Sequence, residues 1–119
     1  NIIILHCVSI YPAPAEKINL KRIKTLQKLY PYPVGYSDHS IGDQMAVGAV
    51  AMASCIIEKH FTLDKNMMGT DHILSANFAD LKEIKTVSEN ILSLLGNEKK
   101  IPSKKEVKIK KFKINRFKS

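Results

Sequence analysis

An α/β fold built on a parallel sheet is what this sequence predicts, and three observations carry the prediction. Apolar, β-branched runs alternate with segments of helical period, the runs are apolar on both faces, and the polar residues suited to chemistry gather where the runs end. The order β-α-β-α-β-α is the pattern of a parallel sheet with right-handed crossovers. Strands covered on both faces read as unbroken apolar runs rather than alternating ones. No Gly-x-Gly-x-x-Gly follows the first run, so the dinucleotide-binding fingerprint is absent. The spacing of the runs fits either a doubly wound sheet or a piece of a (β/α)8 barrel.

Ile2 to Val8 is the first strand, broken by Pro12 and Pro14, which cannot continue a ladder. Asn19 is placed to cap a helix with Leu20, Ile23, Leu26 and Leu29 on one side, and Pro31 and Pro33 end it. Val34 to Asp38 is the second strand. Asp43 is placed to cap the next helix, whose residues Met45 to Met52 are small and apolar all round, as in a helix buried on several sides. Residues 54–61 form the third strand, and a polar loop runs from Asp64 to Ala76. Asn77 and Asp80 make a capping box for the last helix, with Leu81, Ile84, Val87, Ile91 and Leu95 along one face and Gly96 at its end.

The net charge of +8 is unevenly spread. Glu98 to Ser119 hold ten Lys/Arg and two Glu, so the first 97 residues are neutral and the excess is all in the tail. The body therefore offers no electrostatic reason to bind nucleic acid or a membrane. No apolar run approaches the roughly 20 residues that span a bilayer, and no signal-peptide pattern is present. Cys7 and Cys55 form no CxxC and read as buried free thiols of a cytoplasmic protein. At 119 residues the chain is long enough for one small domain. It begins inside a strand, which is expected of a piece of something longer and equally of a processed N-terminus.

Chemistry is expected at the strand ends. Glu58 and His60, two apart in a strand, share a face; Ile57, Lys59 and Phe61 take the other. Ser9 and Tyr11 follow the first strand; Ser37, Asp38 and His39 end the second; Asp71 and His72 lie in the loop after the third. In barrels this C-terminal edge is the catalytic rim. His39 and His60 at neighbouring strand ends, completed by oxygen ligands, suit Mn²⁺, Fe²⁺, Co²⁺ or Zn²⁺, with Glu58 as third ligand or general base. A lone strand-end histidine is more often packed and hydrogen-bonded, as expected of His6. Met67 and Met68 read as a loop packing over the rim.

The segments His6 to Pro12, Tyr36 to Ser40, Ile57 to Asp64 and Gly69 to Ser75, with His39 and His60 21 positions apart, resemble the sialic acid synthase family, the phosphoenolpyruvate-condensing N-acetylneuraminate synthases. The likeness runs through residues 1–97 in unbroken order. It implies a (β/α)8 TIM barrel of which 1–97 is the C-terminal portion, the last three βα units (β6–α8). Residues 98–119 then form a basic linker toward an antifreeze-like domain, which Arg116 to Ser119 would approach. It implies condensation of phosphoenolpyruvate with N-acetylmannosamine and water, giving N-acetylneuraminate and phosphate; legionaminate and pseudaminate synthases are the rivals within the family. It assigns His39 and His60 to a divalent metal, usually Mn²⁺ with Mg²⁺ or Co²⁺ as substitutes, and Glu58 and Asp71 to catalysis. Ser9 and Ser37 are assigned to phosphoenolpyruvate and Tyr11 to the sugar. A homodimer is expected, and the phosphate-binding Lys and a further catalytic Glu come from earlier strands, so this stretch alone is expected not to turn over.

One reading of another class competes. Lys104 to Lys118, interleaved with Ile109, Phe112, Ile114 and Phe117, could form a nucleic-acid-binding arm, against the plainer reading of a lysine-rich linker.

Overall fold

The computed structural model describes residues 1–110; Lys111 to Ser119, on which much of the basic arm and the approach to a second domain were expected, lie outside the described residues. The order is β1 (Ile4–Cys7), α1 (Ala15–Ile18), α2 (Lys21–Leu29), β2 (Val34–Asp38), α3 (Gln44–Ala51), β3 (Ile57–Lys59), α4 (Phe78–Leu95) and α5 (Lys104–Lys110). The strands form one parallel sheet in the order β1-β2-β3.

Residues at matching register face the same way, so the pairings Cys7↔Ser37, Ser37↔Glu58, Tyr36↔Ile57 and Asp38↔Lys59 assign two faces. One carries Val34, Tyr36 and Ile57 and packs under α2 and α3. The core there is Ala13, Ile18, Ile23, Val34, Tyr36 and Ala49, with Val8, Leu20, Leu26, Met45, Met52 and Ile57 against it. The other face carries Cys7, Ser37 and Glu58.

Helix α4 begins with both bonds of its capping box: Asp80 N donates to Asn77 Oδ1 at 3.0 Å and Asn77 N to Asp80 Oδ2 at 2.9 Å. Asn19 does not cap α2. It closes α1 in the left-handed region, φ 52°, and the next helix starts two residues later behind Leu20. Asparagine tolerates that conformation, so the same residue reads as a start or a stop. Asp43 stands at the N-cap of α3 without a side-chain bond. The third strand is shorter than its apolar run, because only Ile57–Lys59 pair with β2; Phe61 instead bridges to Ala76.

One further expectation is corrected. Both cysteines are free, but exposed rather than buried: Cys7 lies on the uncovered face of an outer strand. Within the basic tail, Ser103 N donates to Glu106 Oε2 and Glu106 N to Ser103 Oγ, a capping box that starts α5.

Candidate functional site

Parallel strands bring their C-terminal ends to one edge, and the register decides which side chains meet there. Cys7, Ser37 and Glu58 form a row across β1, β2 and β3. His39 and His60 follow two residues beyond Ser37 and Glu58 on the same face. Their 21-residue separation equals that of Ser37 and Glu58, so the histidine spacing is the β2–β3 register continued past the strand ends.

Ser37, His39, Glu58, Lys59 and His60 line a cavity of about 230 Å³. The His39 and His60 ring centroids are 5.3 Å apart at 63°. Tyr11 lies 4.1 Å from the His39 ring and 5.8 Å, edge on, from that of His60. Ser37 Oγ donates to Glu58 Oε1 at 2.7 Å. A larger cavity, about 570 Å³, opens between β1 and α2 and is lined by Ile4, Leu5, Leu26 and Leu29 together with His6, Cys7, Arg22 and Thr25. Size therefore does not select the site; the convergence of imidazoles and a carboxylate does.

The histidine protons can be assigned in part. His39 Nδ1 lies 3.0 Å from the Val8 carbonyl, which only accepts, so Nδ1 carries the hydrogen and the Nε2 lone pair of the neutral ring is left for a ligand. Backbone-oriented imidazoles of this kind suit metal ligation. Among the described residues no three His, Cys, Asp or Glu side chains converge as a ready metal cage. The donor set fits a cation held by two imidazoles and otherwise by oxygens from water or substrate, and it leaves Glu58 hydrogen-bonded to Ser37 rather than placed as a third ligand.

Of the other expected residues, Ser9 is exposed with Oγ 3.7 Å from Cys7 Sγ, outside the cavity lining. Asp71 is likewise not in the lining; its carboxylate accepts from Thr70 Oγ1 at 3.3 Å. His72 is tied into its own loop, with Nδ1 2.8 Å from Thr62 Oγ1. That hydroxyl gives its proton to the Asp64 carbonyl, so His72 Nδ1 is the donor. His6 donates Nε2–H to Ile18 O at 2.6 Å inside the core.

Sequence reasoning missed the pairing of Asp38 with Lys59. Lys59 Nζ lies 2.9 Å from Asp38 Oδ2, with both side chains almost wholly buried. Asp38 Oδ1 also accepts from Tyr36 OH at 3.2 Å, Ser40 N at 2.9 Å and Ser40 Oγ at 2.7 Å. Burial first, and then the Asp38 carboxylate, raise the Tyr36 phenol well above the usual tyrosine range. The signal was available: Asp38 and Lys59 show the same 21-residue offset as the other two pairs.

The fold and this edge define a class, the parallel α/β proteins whose polar site is assembled from successive strand ends. The chain belongs to the NeuB family, whose model matches residues 1–100. It is 45% identical over 108 residues to the N,N'-diacetyllegionaminic acid synthase of Campylobacter jejuni, covering 91% of this chain and 32% of that protein. It is 39% identical over 99 residues to a pseudaminic acid synthase of the same species, covering 83% and 29%. A crystal structure of the N-acetylneuraminic acid (sialic acid) synthetase of Leptospira borgpetersenii in complex with citrate superimposes with a TM-score of 0.81 at 41% identity, over 92% of this chain and 39% of that one. The chain thus spans about a third of the length of the curated relatives it matches. No helix among the described residues is long and apolar enough to cross a membrane.

Proposed function

We propose that the protein carrying this chain is a metal-dependent N-acetylneuraminate synthase, condensing phosphoenolpyruvate with N-acetylmannosamine and water to give N-acetylneuraminate and phosphate. The observation that carries the proposal is the His39–His60 pair beside the Ser37–Glu58 hydrogen bond in one cavity, in a chain similar to three kinds of sugar-acid synthase. Residues 1–97 are read as the last three βα units of a (β/α)8 barrel and 98–119 as the linker to a further domain. In this reading the whole protein is cytoplasmic and dimeric, and the chain by itself does not turn over.

His39 and His60 would hold the divalent cation, Mn²⁺ first, which when bound polarises the aldehyde of the open-chain sugar. Carbon 3 of phosphoenolpyruvate attacks that carbonyl carbon, water adds to the cationic carbon 2, and the carbon–oxygen bond to phosphate breaks. Glu58 lies on the face where that positive charge develops, and its carboxylate stabilises it. Tyr11, stacked on His39, contacts the sugar, and Asp71 serves sugar hydroxyls or proton transfer from its loop. Ser9 and Ser37 bind the phosphoenolpyruvate end. The single hydroxyl proton of Ser37 is donated in a hydrogen bond to Glu58, so Ser37 binds an anionic group only by turning that proton away from Glu58.

The test is phosphate release from phosphoenolpyruvate by the whole protein, after chelation and with Mn²⁺ restored. Activity should require both metal and N-acetylmannosamine, and His39→Ala and His60→Ala should each abolish it. Wild-type activity in either variant sinks the ligand assignment. A preference for a diacetamido analogue of the sugar would move the protein to the legionaminate or pseudaminate branch.

A further inference from the structure

The sheet carries a second polar cluster, on the face opposite Glu58, that the proposed reaction does not use. Asp38 is fully buried and the Lys59 side chain is 3% exposed. We propose that the Asp38–Lys59 ion pair is a positioning device that holds the imidazoles of His39 and His60 in their mutual geometry; this rests on the metal-site reading above.

Placement supports it first. Asp38↔Lys59 is the last registered pair of β2 and β3, and His39 and His60 each follow it directly. Their carbonyls accept from Ala13 N and Ala76 N, both at 2.8 Å, so each histidine is anchored to a different segment and the Asp38–Lys59 link just before them ties the two together. Convergence on Ser40 supports it second. Lys59 Nζ donates to Ser40 O at 2.7 Å, while Ser40 N and Oγ donate to Asp38 Oδ1. His39 thus sits between two residues pinned by one network, and its ring is oriented from the other side by Val8 O. The energetics of buried ion pairs supply the third support. Such a pair roughly breaks even against apolar residues of similar volume, so gain in stability does not account for it; registry is its best attested use.

The experiment compares wild type, Lys59→Met and the double variant Asp38→Asn/Lys59→Met in the whole protein. The double variant removes both charges at similar volume and keeps an acceptor for Ser40 N, so it remains folded even where the single variant, with a lone buried carboxylate, does not. Thermal unfolding, Mn²⁺ binding, and ¹⁵N spectra of selectively labelled histidine are recorded for each. The double variant should unfold near the wild-type midpoint, bind Mn²⁺ about 10- to 100-fold more weakly, the usual effect of losing a group that orients a ligand, and lose the single Nδ1–H form of His39. A folded double variant with wild-type Mn²⁺ affinity and an unchanged histidine spectrum overturns the proposal. So does a double variant that never folds, which assigns the pair to the fold itself. If wild type binds no Mn²⁺ while the His39 spectrum still changes in the double variant, the metal reading falls and the positioning role stands.

Discussion

Tyr36 and Ser37 are neighbours with opposite tasks. Alternation along β2 turns Tyr36 toward the helices and Ser37 toward the cavity. Tyr36 is 1% exposed, and its hydroxyl donates to Asp38, so burial and the adjacent carboxylate both disfavour the phenolate. A pKa raised in the folded state contributes stability that is fully present below the unfolded value and is lost as pH rises past it. Stability should therefore begin to fall above about pH 10, the ordinary tyrosine value. Tyr36→Phe should remove that part of the alkaline dependence and, at neutral pH, cost about 1.5–3 kcal/mol for a lost hydrogen bond to a charged group. Denaturant melts of both proteins between neutral pH and about pH 11 check it; an alkaline slope unchanged in Tyr36→Phe would assign that slope to other groups. Ser37 was legible as a site residue because it falls in the Tyr-Ser-Asp-His segment. The partner of Asp38 was not, because the sequence places Lys59, directly before His60, on the face of Ile57 and Phe61 without saying which residue of a distant strand it meets.

Helix α4 shows what an element's ends contribute. Of its apolar stripe Ile84 is buried, Val87 and Ile91 are half-buried, and Leu81 and Leu95 are exposed, so packing does less to hold α4 than its length suggests. The capping box and the Lys65–Asp80 ion pair at 2.6 Å matter correspondingly more. Asn77→Ala should cost about 1 kcal/mol, read as a lower thermal midpoint. The Lys65 hydrogen bond, then that of the Asn77 backbone, lower the Asp80 pKa, so the contribution of this start is present above the ordinary aspartate range and fades as pH falls through the folded value. In β2, Gly35 answers a different demand. A Cβ there would sit 2.3 Å from Ile56 Cγ2 and 2.9 Å from Ile56 O. Because part of that obstacle is backbone, Gly35→Ala should destabilise by about 1–3 kcal/mol, the usual cost of overpacking; an unchanged unfolding midpoint would show that the strand can yield.

At the scale of the whole molecule, the uncovered surfaces are coherent. Ile2 and Ile3 near the β1 edge, Leu63 and Met68 in the loop after β3, and Leu92, Leu94 and Leu95 on α4 are all exposed. On the proposed reading, such surfaces pack against the remaining units of a barrel of which this chain is about a third by comparison with its relatives. The cation should then act on the whole protein as a stabilising ligand. Mn²⁺ at 100 times its dissociation constant should add about 2.7 kcal/mol to unfolding, and chelation should reverse it. His39→Ala should show no such shift; a full Mn²⁺-induced shift in that variant would place the cation elsewhere.

Alternation of apolar runs and helical segments determined the β-α-β-α-β-α order of the longer elements from sequence alone, because period and β-branching act locally; the short α1 and α5 were not read. The capping box of α4 was equally legible, since a cap depends on residues three apart. The gathering of polar residues at strand ends was readable for the same reason. Register belonged to tertiary structure, because strand pairing is a relation between distant segments that no local pattern states. Only that register turned three separate 21-residue offsets into a Ser37–Glu58 hydrogen bond, an Asp38–Lys59 ion pair and a facing pair of imidazoles. It also left Asp71 and Ser9, which the motifs had grouped with them, outside the cavity.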